Sequence, residues 1–151
     1  MRTEHLGKRP LIDPTALIAP TAIVSGDVHV GAGSVILAGA IVTSQGAPVR
    51  IGRSCIVMEH AVLRGAGRYP CTLGNYVLVG PHAHIAGATV NGRAFVATGA
   101  SIFNGAVLEV RIRDDRDSLW FRARSVDHPH RALSLVRRGL GLDVDRLETF
   151  H

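Results

Sequence analysis

"IDPTALIAPTAIVSGDVHVGAGSVILAGAIV", residues 12–42, carries an aliphatic residue at every sixth position: Ile12, Ile18, Val24, Val30, Ile36 and Val42. A helix repeats its apolar face every 3.6 residues and a strand every two, so a period of six is neither element alone. It is a short strand plus a turn. The ruler resumes at Ile51, Val57 and Leu63, at Leu73, Val79 and Ile85, and at Val90, Val96, Ile102 and Leu108. A small or β-branched residue sits four places after most of these marks: Ala16, Ala22, Val28, Ser34, Ala40, Cys55, Ala61, Val77, Ala83, Ala94, Ala100 and Ala106. Gly or Ala often follows the aliphatic residue, as in "VGAGSV", "IGRSCI" and "LGNYVL". Three such units make one triangular coil, and coils stack by strand pairing. The rungs then begin at Ile12, Val30, Ile51, Leu73 and Val90, with a partial rung at Leu108.

The ruler slips in three places. Val42 to Ile51 is nine residues, Leu63 to Leu73 is ten, and Ile85 to Val90 is five. All three slips fall at the same corner of the triangle, which marks one edge of the prism as the functional edge. After Leu108 the pattern changes. "LEVRIR" and "LWFRARS" alternate in twos around Asp114–Asp117, which predicts a β-hairpin. Asp127 as N-cap, Leu133 and Val136 on one face, and Gly139 as the terminating residue predict a short helix. The chain therefore divides, within one domain, into a β-helix over 1–110 and a capping hairpin and helix over 111–151. The cap covers strand edges that would otherwise invite aggregation.

Composition agrees with narrow, regular layers. The 151 residues are 46% hydrophobic but only 5% aromatic. The net charge is +5, and all but one of the 17 basic residues are arginine. These charges are scattered and accompany no nucleic-acid-binding motif, so nucleic acid is not the expected partner. Two cysteines, Cys55 and Cys71, give no disulfide framework. "MRTEHLGKRPLIDP" lacks the apolar core of a signal peptide, and no apolar run is long enough to span a bilayer. A cytoplasmic protein with no membrane partner is expected.

"PVRIGRSCIVMEHAVLRG" and "YPCTLGNYVLVGPHAHIAGATVNGRAFVATGASIFNGAVLE" resemble the γ-class carbonic anhydrase branch of the hexapeptide-repeat family. The family's corresponding stretches read "IRIGxxxNIQDxxxLH" and "YPxxIGxxVxxGHxxxLHGCxIGxxxLIGMGAxxLxGA". The resemblance covers residues 12 to 108 or so and implies a left-handed β-helix, an all-β fold, and a homotrimer. It also implies a zinc ion held by three histidines, two from one subunit and one from its neighbour, whose bound water attacks carbon dioxide. The histidine of "LH" is here Arg64, that of "GH" is Pro81, and that of "HGC" is Ala86. The family's "RGD" is Thr43, Ser44 and Gln45, and the Gln-Asp of "IQD" is Met58 and Glu59. Carbonic anhydrase activity by the usual mechanism is therefore not expected, and the family motif leaves no metal site.

What remains is weighed three ways. Arg64, Glu59 and Tyr76 are candidate ligand-binding residues for a small anionic molecule at a trimer-interface pocket, with Arg64 and Glu59 alternatively forming an ion pair. His60 and His82 share a slot in consecutive rungs, about 4.8 Å apart, and His84 lies two residues on. Together they are a possible zinc or other metal site, or a plain surface ladder. Many hexapeptide proteins are acyltransferases with a histidine base. That class carries a long catalytic loop, and these insertions are short. A non-catalytic scaffold is the remaining alternative, and whether the protein is an enzyme stays open. Cys55 takes an inward slot and reads as a core thiol.

Overall fold

The computed structural model describes residues 1–113 and 118–125, and from residue 110 onward its backbone alone. Its strands are numbered in chain order. The first face of a three-sided parallel coil holds β1 (Arg2–Thr3), β4 (Ile23–Ser25), β7 (Ile41–Gln45), β10 (Val62–Ala66), β13 (His84–Ala86) and β16 (Ser101–Ile102). The second holds β2 (Leu11–Ile12), β5 (Val28–Val30), β8 (Val49–Ile51), β11 (Cys71–Leu73), β14 (Thr89–Val90), β17 (Ala106–Arg113) and β18 (Ser118–Ser125). The third holds β3 (Leu17–Ile18), β6 (Val35–Ile36), β9 (Ile56–Val57), β12 (Leu78–Val79) and β15 (Phe95–Val96). The chain visits the faces in the order first, second, third, and climbs one rung per circuit.

The register is the six-residue ruler made physical. Val24, Val42, Leu63, Ile85 and Ile102 are successive partners on the first face, and all are buried. Ile12, Val30, Ile51, Leu73, Val90 and Leu108 are successive partners on the second, and all but Ile12 are buried. Each fully buried Val, Leu or Ile contributes about 1.5–3 kcal/mol. Ile12 and Ile18 are only partly buried, because no complete rung lies beneath them.

Small residues after the aliphatic mark have a steric cause. A Cβ on Gly31 would lie 2.5 Å from the carbonyl oxygen of Gly52, and one on Gly52 would lie 2.6 Å from that of Gly74. The backbones of successive rungs touch at this corner, so a side chain there has nowhere to go. At the next inward slot, the Ser34 hydroxyl donates to the Gly52 carbonyl at 2.7 Å and accepts from the Cys55 amide at 3.0 Å.

The coil begins earlier than the ruler indicates. Arg2 pairs with Val24, and a tight turn from His5 to Lys8 returns the chain to β2. No aliphatic residue marks Arg2, because this strand lies at the open end and its inward slot is exposed. Asp27 ties that turn to the next rung. It accepts from Lys8 at 2.7 Å and from Arg50 at 2.8 Å. The hydrogen bond from Lys8, then that from Arg50, lowers its pKa from 3.8 to about 2. A carboxylate with a lowered folded-state pKa adds stability above pH 4 that is lost as pH falls toward 2. Asp27→Asn is expected to lower the melting temperature by a few degrees at pH 6. The difference from wild type should vanish near pH 2, as thermal melts across that range would show.

At the other end, β17 runs without a break past residue 110 and pairs antiparallel with β18, Ala106 opposite Ser125 through Arg113 opposite Ser118. This is the expected hairpin. Its turn at 114–117, and the helix expected from Asp127 to Gly139, lie outside the described residues. Among the described residues there is no helix, and none long and apolar enough to cross a membrane.

Candidate functional site

The corner between the first and second faces carries all three slips. The added residues are built largely into strands: β7 and β10 lengthen to five residues, pairing Ser44 with Gly65 and Gln45 with Ala66. The longer insertion then reverses in a tight turn. The Ala66 and Tyr69 amides donate to each other's carbonyls at 3.0 and 2.9 Å, around Gly67 at φ 58°. The Arg68 guanidinium lies 4.9 Å from the Tyr69 ring centre and donates to its hydroxyl at 2.7 Å. A Cβ on Gly87 would lie 2.6 Å from the Tyr69 Cβ, so the longest corner folds over the shortest. The residue missing after Ile85 makes that room.

Arg64 stands on the outer surface of β10, next to this corner, with Thr43 and Ala86 as its Cα partners. It is exposed. No ion pair joins it to Glu59, which lies exposed in the corner between the third and first faces. Tyr76 is elsewhere again. It occupies the corner between the second and third faces at φ 59°, 48% exposed, with the Arg53 guanidinium 5.5 Å from its ring centre. Nearness in sequence to the insertion does not bring Tyr76 to Arg64, because one more strand intervenes. Tyr69, which also flanks the insertion, is the tyrosine of this edge.

Two residues along β13 from Ala86, the partner of Arg64, stands His84. It lies on β13 opposite Val62, half-buried, with its ring edge-on to Phe103 at 5.4 Å. Its Nε2 is buried and has no hydrogen-bond partner. Burial, then the charge of Arg64, lowers its pKa from the usual histidine value, which favours the neutral imidazole. The signal for this placement was in the sequence. His84 directly precedes Ile85, as Val62 precedes Leu63, and that slot faces outward on the first face.

His60 and His82 occupy one slot of the corner between the third and first faces, both exposed and both at φ 56°. Their rings stack at 5.2 Å between centres, 16° from parallel. The structure thus brings His60 and His82 together and leaves His84 on a strand, packed on Phe103. Among the described residues no three His, Cys, Asp or Glu side chains are grouped to hold a metal ion.

The two thiols are poor nucleophiles. Cys55 is buried and donates to the Gly74 carbonyl at 3.0 Å, and burial raises its pKa. Burial pushes the Cys71 thiol up to about 12.

Comparison with known proteins places this architecture. No known family profile matches the chain. Over 108 residues it is 32% identical to γ carbonic anhydrase 1 of Arabidopsis thaliana mitochondria and 34% identical to γ carbonic anhydrase 2, in each case over 68% of this chain and 39% of the relative. It thus spans about two fifths of the length of these curated relatives. An uncharacterized Dictyostelium discoideum protein is 30% identical over 105 residues, 66% of this chain and 43% of that protein. Among solved structures, an acetyltransferase-type protein of Bacillus cereus aligns with a TM-score of 0.49 at 23% identity, over 77% of this chain and 84% of that one. Repeat, register and coil define a hexapeptide-repeat protein of the left-handed β-helix class. Within that class its likeness is to the γ carbonic anhydrases, over about two thirds of this chain.

The zinc that the family motif implies finds no donor at the three positions that the resemblance assigns to its ligands. Two of the three matching positions, Arg64 and Ala86, are Cα partners on neighbouring strands, and the third, Pro81, sits beside His82 in a corner. A guanidinium, a methyl group and a pyrrolidine ring offer no lone pair to a metal.

Proposed function

We propose that this protein binds or transforms a small anionic ligand at Arg64, without the zinc that the family motif implies. The observation that carries this reading is the pairing of Arg64 with His84. An exposed guanidinium with no carboxylate partner among the described residues shares the outer surface of paired strands with an imidazole whose buried Nε2 is unsatisfied. A carboxylate could accept two parallel hydrogen bonds from the guanidinium. Buried polar atoms left without partners are uncommon, and a water or an ion held there is one of their explanations.

The ligand pocket, on this reading, is completed by a neighbouring subunit in a homotrimer. Leu17, Val35, Ile56, Leu78 and Phe95 form one continuous outward ladder on the third face. Ile23, Ile41 and Val62 begin another on the first. Two apolar ladders flanking one corner suit the dissimilar surfaces that meet in a threefold ring. The unpaired buried thiols are in keeping with a reducing compartment, the cytoplasm.

A panel of small carboxylates and bicarbonate, tested by thermal shift, would check the site. Arg64→Ala is expected to weaken the response about tenfold or more, from the loss of charge-assisted hydrogen bonds. The mass measured by light scattering should stay that of the wild type. Equal responses from both proteins would leave the scaffold reading as the better account.

A further inference from the structure

The corner between the third and first faces holds a feature that the anion site does not use. Successive rungs place Gly39, His60, His82 and Gly99 in the same slot. Their amides climb in register: His60 N–H to the Ala38 carbonyl at 3.1 Å, His82 N–H to that of Glu59 at 3.0 Å, and Gly99 N–H to that of Pro81 at 2.9 Å. Two imidazoles are therefore fixed at the spacing of paired strands, on a common edge. Glycine above and below decides how the pair is housed. A Cβ on Gly39 would lie 2.4 Å from both Cε1 and Nδ1 of His60, so that ring occupies the space a side chain would need. A Cβ on Gly99 would meet nothing within 4 Å, so the far side of His82 is open.

We infer that His60 and His82 together bind one divalent transition-metal ion of the nitrogen-preferring kind, with Cu²⁺ the strongest binder. The two rings lie 5.2 Å apart, and both are exposed. Rotation about the ring torsion, which is soft in histidine, turns one nitrogen of each toward a shared point between the rungs. Imidazole suits copper, nickel and zinc, and affinity among divalent ions peaks at Cu²⁺. The protein supplies two ligands and water the rest, since among the described residues no third donor side chain is grouped with the pair. Both ligands sit on a rigid coil, so the second nitrogen binds at high effective concentration. Within one protomer this corner is separate from Arg64, and the inference does not rest on the anion reading.

Copper titrated into the full chain tests the inference. At one equivalent, electron paramagnetic resonance is expected to show equatorial coordination by two imidazole nitrogens. Nuclear magnetic resonance should show broadening centred on residues 38–39, 59–60 and 81–82. His82→Asn keeps a residue that tolerates the left-handed conformation. It is expected to weaken binding about tenfold or more and to leave one imidazole nitrogen. His60→Asn should do the same, while His84→Ala should change nothing. Full-strength binding by His82→Asn, or its loss in His84→Ala, would overturn the assignment. His82→Asn should leave the carboxylate response unchanged, so failure of one site is distinguishable from failure of the other.

Discussion

Stopped-flow assays with zinc added are expected to return no more than the uncatalysed rate of carbon dioxide hydration. A zinc-bound hydroxide turns over about 10⁶ times per second in carbonic anhydrases, so even slight zinc-dependent catalysis would stand far above background. The chemistry requires a metal held by three side chains with a fourth position open to water. The family motif, as the sequence resembles it, would set its three ligands at Arg64, Pro81 and Ala86, and on that reading none of the three has a lone pair to give. On the same reading Arg64 would bring a permanent positive charge to the place of a dication. A rate that rises with zinc and falls in His82→Ala would show instead that the stacked histidines had taken over the catalytic role.

Gly52→Ala is expected to destabilise the protein by about 3 kcal/mol or more, the upper range for forcing extra volume into a packed interior. The new methyl group would lie 2.5 Å from Asn75 Oδ1 and 2.6 Å from the Gly74 carbonyl oxygen. Asn75 Oδ1 accepts from the Arg53 amide at 3.0 Å, so moving it also exposes a donor. The Gly74 carbonyl is backbone of the next rung and cannot retreat without shifting β11. Gly67→Ala provides the contrast. Gly67 has φ 58° but open space around its Cα, so alanine there carries only the left-handed penalty of about 1–2 kcal/mol. Urea melts of the two variants compare the effects directly. Equal losses would mean that the rungs can spread apart at this corner.

The ruler was legible because the aliphatic column of a triangular coil is buried on every complete rung. Val24, Val42, Leu63 and Ile85 share a column, and a polar residue in it would be buried without a partner. The shared slot of His60 and His82 was legible for the same reason, as was the corner that collects the insertions. The form of those insertions was not. Ser44 and Gly65 extend strands, and nothing in an outward-facing polar stretch distinguishes a longer strand from a loop. Arg2 escaped because the first strand of an open end has no inward aliphatic requirement. Grouping Tyr76 with Arg64, or His84 with His82, followed nearness along the chain. In a coil, neighbours along the chain soon turn onto different faces, while neighbours in space are a full circuit apart.

The changing length of one corner has a practical side. Arg2 to Ile12 spans ten residues, Val24 to Val30 six, Leu63 to Leu73 ten and Ile85 to Val90 five, yet the ladders on either side keep their register. Foreign peptide spliced between Gly67 and Arg68 would leave from a two-residue reversal that points into solvent. Lengthening a flexible loop adds only about 0.6 kcal/mol per doubling. The prism is thus a ready display frame, with a single seam at which cargo can be sewn in.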